Sequence, residues 1–302
     1  MATREFPIVG DSLALGYRFQ RHWDDSMAAA FFFGELGAGI FLAGALYGSN
    51  LTMIVGVLVT AILKTYFHLA HMGVPSRAWR AISRPDRSWI SRGFISIIVF
   101  TGAAVLHIAL NGFGLADSLG GAAAIGGIVK GLALIAALVV MTYHGFAIAD
   151  STSISFWNTG LMPVTSLLYS ALGGVTVARV LAPSVAASGA GLVPAGQGAA
   201  SILLVVAAVA LLAMLNAANR GSPGARKSLH LLTREGPWVK LFYGVVLGLG
   251  LVLPFALLTL APASMAVDVV VALAVLAGYF TFRILVFKIG LYDPIISFAR
   301  QA

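Results

Sequence analysis

Eight apolar runs, each about twenty residues long, dominate this chain and leave it few architectures. They occupy residues 28–48, 51–72, 93–113, 125–147, 163–182, 199–218, 239–260 and 266–288. A hydrocarbon core about 30 Å thick is crossed by about 20 residues of α-helix, so each run is long enough to span a bilayer. None shows the alternation of a lipid-facing strand, and backbone in lipid must satisfy its own hydrogen bonds, which selects helices over a barrel. The predicted fold is an all-α polytopic membrane protein with eight transmembrane helices. A single membrane domain, 28–302, follows a polar segment, 1–27. Charged residues make up 10% of the chain, far below the roughly 25% of a soluble domain. Small residues crowd several runs, as in "GELGAGIFLAGALYG", and suit close helix packing in lipid.

An even number of spans puts both termini on one side. There lie Arg4, Arg18 and Arg21, then Arg77, Arg80, Arg84, Arg87 and Arg92, then Arg220, Arg226, Lys227 and Arg234, and finally Arg300. The opposite loops, 49–50, 114–124, 183–198 and 261–265, carry neither lysine nor arginine. By the positive-inside rule both termini face the cytoplasm of a bacterial or archaeal inner membrane. The net charge of +8 is therefore topological, and nucleic acid is not an expected partner. With no cysteine, the chain offers no thiolate for an iron–sulfur cluster and no disulfide. The motifs for metal–thiolate, phosphate-loop and Ser-His-Asp chemistry are also missing, and no metal site is expected.

Chemistry concentrates at the end of the second run. Lys64, His68 and His71 are spaced i, i+4, i+7 and share one narrow helical face. Ionisable groups in a membrane face the bundle interior or a water-filled cavity, and they mark function by default. Glu35, in span one, lies at the depth of Lys64, roughly 10 Å below the boundary, so a Glu35–Lys64 ion pair is one expectation. Span four brings Tyr143 and His144 to the same side, with Asp150 just beyond, and span eight brings Arg283 and Lys288. Histidine, tyrosine and acid–base groups under an apolar lining suit a quinone. Its carbonyls need donors, its reduction takes two protons, and its tail needs apolar surface.

The segment "HMGVPSRAWRAISRPDRSWISRG" at 71–93 resembles the His-Leu-Gly-x-Pro-x-Arg-Ala and Ser-Trp-x-Ser-Arg pattern of the NrfD, polysulfide reductase and DMSO reductase membrane-anchor family. Collinear matches are "FFFGELGAGIFLAG", "SISFWNTGLMPV", "FYGVVLGLGLVLPFALL" and "FRILVFKIG". The resemblance implies an eight-helix subunit without haem, metal or cluster of its own, exchanging electrons between membrane quinone, bound as substrate, and an iron–sulfur partner subunit attached to a molybdopterin catalytic subunit. It assigns His71 to quinone chemistry and aligns Tyr143 with a tyrosine near the quinone. Glu35, Lys64, His68 and His144 complete the expected quinone-binding set, and Arg77, Arg80, Arg84, Arg87 and Arg92 the expected partner interface. The family pattern carries a glutamate where this chain has Gly93, and Glu35, Asp86 or Asp150 is the available replacement. A cytoplasmic catalytic arm fits branches that oxidise an intracellular donor, of sulfite or aromatic acyl-CoA type, and reduce quinone. The reverse flow, quinol oxidation for a polysulfide- or DMSO-type reductase, is the alternative.

Two other classes compete. A di-haem cytochrome b would draw on His68, His71, His107 and His144, yet His107 lies about 20 Å from the depth of the others, which does not suit paired ligation. An ion or proton transporter would draw on Glu35, Lys64, Lys130 and Arg283, without the inverted repeat that such folds carry.

Overall fold

A computed structural model describes residues 17–115, 123–188 and 195–293. Polar caps place the helix ends. Asp24 accepts from the Met27 amide and starts span one at Asp25, three residues ahead of the predicted boundary. Ser49 caps span two on the Thr52 amide, Ser88 caps span three on Ser91, and Ser264 caps span eight on Val267. Gly48, with φ 75°, ends span one in the left-handed region that favours glycine, so the chain turns back into span two within two residues. Among the described residues, eight helices are long and apolar enough to cross a membrane: Asp25–Tyr47, Asn50–His71, Trp89–Gly112, Ile125–Ala149, Leu161–Leu181, Gly196–Asn219, Leu241–Leu260 and Met265–Lys288.

Span one is the axis of the bundle. It packs against spans two, four, five and eight, while three, six and seven lie outside. Its small residues permit this. A Cβ on Gly39 would lie 2.0 Å from the Ser170 carbonyl oxygen, and one on Gly174 would lie 2.1 Å from that of Gly39, so spans one and five touch backbone to backbone. One apolar cluster joins span one to spans five to eight; a second, around Phe41 and Phe100, joins it to two, three and four. Outward faces carry exposed Leu58, Ile62, Ile128, Leu212 and Leu273, as lipid contact requires.

Among the described residues, three stretches are π-helical: Val59–Lys64 in span two, Ile108–Gly112 at the end of span three and Leu241–Val252 in span seven. Apolar length does not register such a change of helical pitch, so only the eight spans were predictable. Past span two, Pro75 opens a 3₁₀ helix, Pro75–Ile82, where its fixed φ and missing N–H suit the first helical position.

The two ends of the described chain meet on the side of this loop. Strand β1 (Arg18–Phe19) pairs antiparallel with β2 (Leu291–Tyr292), Arg18 opposite Tyr292. Beside them Asp293 accepts from Ser155, from Ser222 Oγ at 2.9 Å and from the Gly224 amide at 2.8 Å, joining three loops through one carboxylate. Trp157, from the "SISFWNTG" segment, donates to the Val286 carbonyl at 2.8 Å and packs on Trp23 and Phe287.

Candidate functional site

The stripe on span two faces the bundle. Lys64 is buried, and His68 and His71 are half-buried, whereas Tyr66 and Leu69 of the same turns are exposed. His71 Nδ1 lies 3.0 Å from Asp24 Oδ1, so the cap of span one also holds the last histidine of span two. Burial works against the Asp24 carboxylate, but hydrogen bonds from Ser26, the Met27 amide and His71 outweigh it and bring the group below its usual range. His68 Nδ1 is buried without a hydrogen-bond partner.

One layer deeper lies a fully enclosed polar cluster. Arg283 of span eight donates from Nη2 to Glu35 Oε2 at 2.6 Å and to Ser166 Oγ at 2.6 Å. Tyr279, one turn earlier on span eight, donates to the same Glu35 oxygen. His144 Nδ1 stands 3.5 Å from Glu35 Oε1. Glu35, His144 and Arg283 are each 0% exposed, so the pair of charges has left water entirely and depends on this mutual geometry. The expected Glu35–Lys64 pair does not form. Arg283 takes that place from span eight, with one nitrogen, Nη2, serving Glu35 and Ser166 at once. Lys64 instead passes beside Gly34, where a Cβ would lie 2.8 Å from His144 Cε1 and 3.0 Å from Lys64 Cγ.

Gly93 has a steric reason. A Cβ there would lie 2.0 Å from Tyr143 Cδ2 and 2.1 Å from its Cε2, so the ring of Tyr143 occupies the space that a side chain at 93 would need. Of the carboxylates available to replace a glutamate at this position, Asp86 is an exposed partner of Arg87 and Asp150 lies exposed beyond span four. Glu35 alone is inside the bundle.

The profile of polysulphide reductase, NrfD, matches residues 16–293, nearly the whole chain. The chain belongs to the NrfD family. No curated protein matches it. As an NrfD protein it is a membrane subunit of the kind that works with redox partner subunits in oxidoreductase complexes. The arginine segment that carried the resemblance is unevenly exposed. Arg77, Arg80, Arg84 and Arg87 project outward, whereas Arg92 turns back, donating to the carbonyls of Pro85 at 2.8 Å and Asp86 at 2.9 Å with its guanidinium over Trp89. Arg92 thus folds the loop that displays the other four.

Of the predicted quinone-site residues, Lys64, His68 and His71 form one inward face, Glu35 and His144 belong to the closed cluster, and Tyr143 sits beside them, its ring centroid 3.8 Å from that of His144. Sequence reasoning placed Arg283 at the right end of span eight but gave it no partner, and it missed Tyr279, Tyr169 and Ser166. The i, i+4 spacing of Tyr279 and Arg283 was a usable signal. Ser166 and Tyr169 carried none, being ordinary members of an apolar run. His107 is bonded to Asn111 at the far end of span three, away from the other histidines.

Proposed function

We propose that this chain is the quinone-reactive membrane anchor of an oxidoreductase complex, holding an iron–sulfur electron-transfer subunit and, through it, a molybdopterin catalytic subunit. The observation that carries the reading is the Lys64–His68–His71 face: ionisable groups turned into the bundle just below one membrane boundary, with Asp24 fixing the outermost. A quinone that accepts two electrons takes two protons at its carbonyl oxygens, so donors that can be reprotonated from water are needed at this depth. His71, half-buried and bonded to a surface carboxylate, can exchange protons with solvent, and His68 Nδ1 is available to a carbonyl oxygen. Exposed Ile62 and Tyr66 on the lipid face of the same helix suit an isoprenoid tail. Arg77, Arg80, Arg84 and Arg87 form the docking surface for the partner. With the positive-inside rule, this surface and the catalytic arm are cytoplasmic, and electrons flow from an intracellular donor to quinone.

The test is His71→Ala in the purified complex, comparing electron transfer to quinone with transfer to a dye that takes electrons directly from the catalytic subunits. Loss of one charge-assisted hydrogen bond, about 1.5–3 kcal/mol, lowers quinone turnover roughly ten- to a hundredfold and leaves the dye-linked rate intact. Equal retention of both rates would make His71 structural and the chain a passive anchor at this position.

A further inference from the structure

The hydrogen bonds of the Glu35 cluster leave a remainder. Glu35 Oε1 and His144 Nδ1 face each other only across a long 3.5 Å contact, and His144 Nε2, Arg283 Nε and Nη1, and Tyr169 Oη are buried without a hydrogen-bond partner. Tyr169 is 2% exposed and stacks on Tyr279, ring centroids 5.0 Å apart, so these atoms belong to one neighbourhood built from spans one, four, five and eight. A single orphan costs about 1–3 kcal/mol, and a group of this size in the middle of a membrane bundle would be prohibitive without partners. The set also has the composition that water satisfies: donors on Arg283, an acceptor on Glu35, and groups on His144 and Tyr169 that serve in either sense. An organic ligand finds no entrance, since Glu35, His144 and Arg283 are fully enclosed.

We propose that Glu35, His144, Tyr169 and Arg283 enclose a site for bound water, with a polar approach only from the side of the arginine loop. On the opposite side, the next charges are Arg179 and Asp268, themselves paired. Between that pair and the cluster, spans five and eight contribute Leu172, Val271 and Val275, each 0% exposed, and the hydroxyls of Ser170 and Thr176 at this level donate to carbonyls of their own helix. Directly toward the loop side, Phe31 covers His144 with ring centroids 4.1 Å apart and packs on Trp23 and Phe287. The remaining polar route runs along span two, from Lys64 beside Gly34 to His68 and the His71–Asp24 pair. Water held there gives the bundle an internal source of protons reached from one face only. This inference rests on the packing and does not require a quinone.

X-ray hydroxyl-radical footprinting of the full chain in lipid nanodiscs tests it, because radicals form from water and mark the side chains next to it. Corrected for intrinsic reactivity, labelling of Tyr169 and His144 should exceed several-fold that of equally buried Phe41, Phe100 and Leu172. Tyr169→Phe removes only an unpartnered hydroxyl, keeps the Glu35–Arg283 pair and the fold, and should lower labelling at His144. Labelling of Tyr169 and His144 no higher than that of Phe41 and Phe100 would overturn the site. Labelling of Leu172 at the level of Tyr169 would overturn its one-sidedness.

Discussion

Replacing Arg283 by Met removes two hydrogen bonds, to Glu35 Oε2 and to Ser166 Oγ, and leaves a carboxylate at 0% exposure with Tyr279 and His144 as its remaining neighbours. Breaking a buried pair by deleting one partner costs about 3–5 kcal/mol, because the other charge stays desolvated. Glu35→Gln incurs a similar cost from the opposite direction, stranding the guanidinium. The double variant Glu35→Gln/Arg283→Met has neither orphan charge, and replacing whole ion pairs by neutral groups of similar volume is close to neutral. The single losses would sum to about 6–10 kcal/mol, whereas the double variant should lie within about 2 kcal/mol of the parent, a coupling of about 4 kcal/mol or more. Equilibrium unfolding in mixed micelles, followed by tryptophan fluorescence, measures all four proteins. A double loss equal to the sum of the single ones within about 0.5 kcal/mol would show that the two charges do not depend on each other.

Gly93→Ala should destabilise by about 1–3 kcal/mol or more through collision with the Tyr143 ring, and adding Tyr143→Ala should relieve that strain; additive thermal shifts of the two changes would refute the steric reading. Asp293→Ala should cost about 2 kcal/mol or more by releasing Ser155, Ser222 and Gly224, seen as faster amide exchange at Gly224 with span one unaffected. Asp24 has a lowered native pKa, so its contribution is complete above its ordinary value of 3.8 and is lost as pH falls through the native one. Since its side chain is 59% exposed the effect should stay under about 1 kcal/mol, appearing as a lower protection of the Met27 amide, relative to its intrinsic exchange rate, in acid and absent in Asp24→Ala.

Much of the candidate site was legible because it is local in sequence. The Lys64–His68–His71 face follows from helical spacing alone, and the helix keeps those residues inward even though the middle of the span, as far as Lys64, is π-helical. Arg92 illustrates the limit. Its composition resembles that of its four neighbours, yet its side chain closes on Pro85 and Asp86, and only the folded loop distinguishes a display residue from a clamp.

Apolar length and spacing are properties of a contiguous stretch, and so the chain alone determined eight spans, a bundle of helices and one ionisable face on span two. Partner choice is not contiguous. Glu35 meets Arg283 across 248 positions and Ser166 meets it across 117. Gly93 is explained by a ring fifty residues away. Which buried charge neutralises Glu35 was decided when span eight packed on span one and brought Tyr279 and Arg283 to it, a contact between residues too far apart in the chain for any local pattern to record.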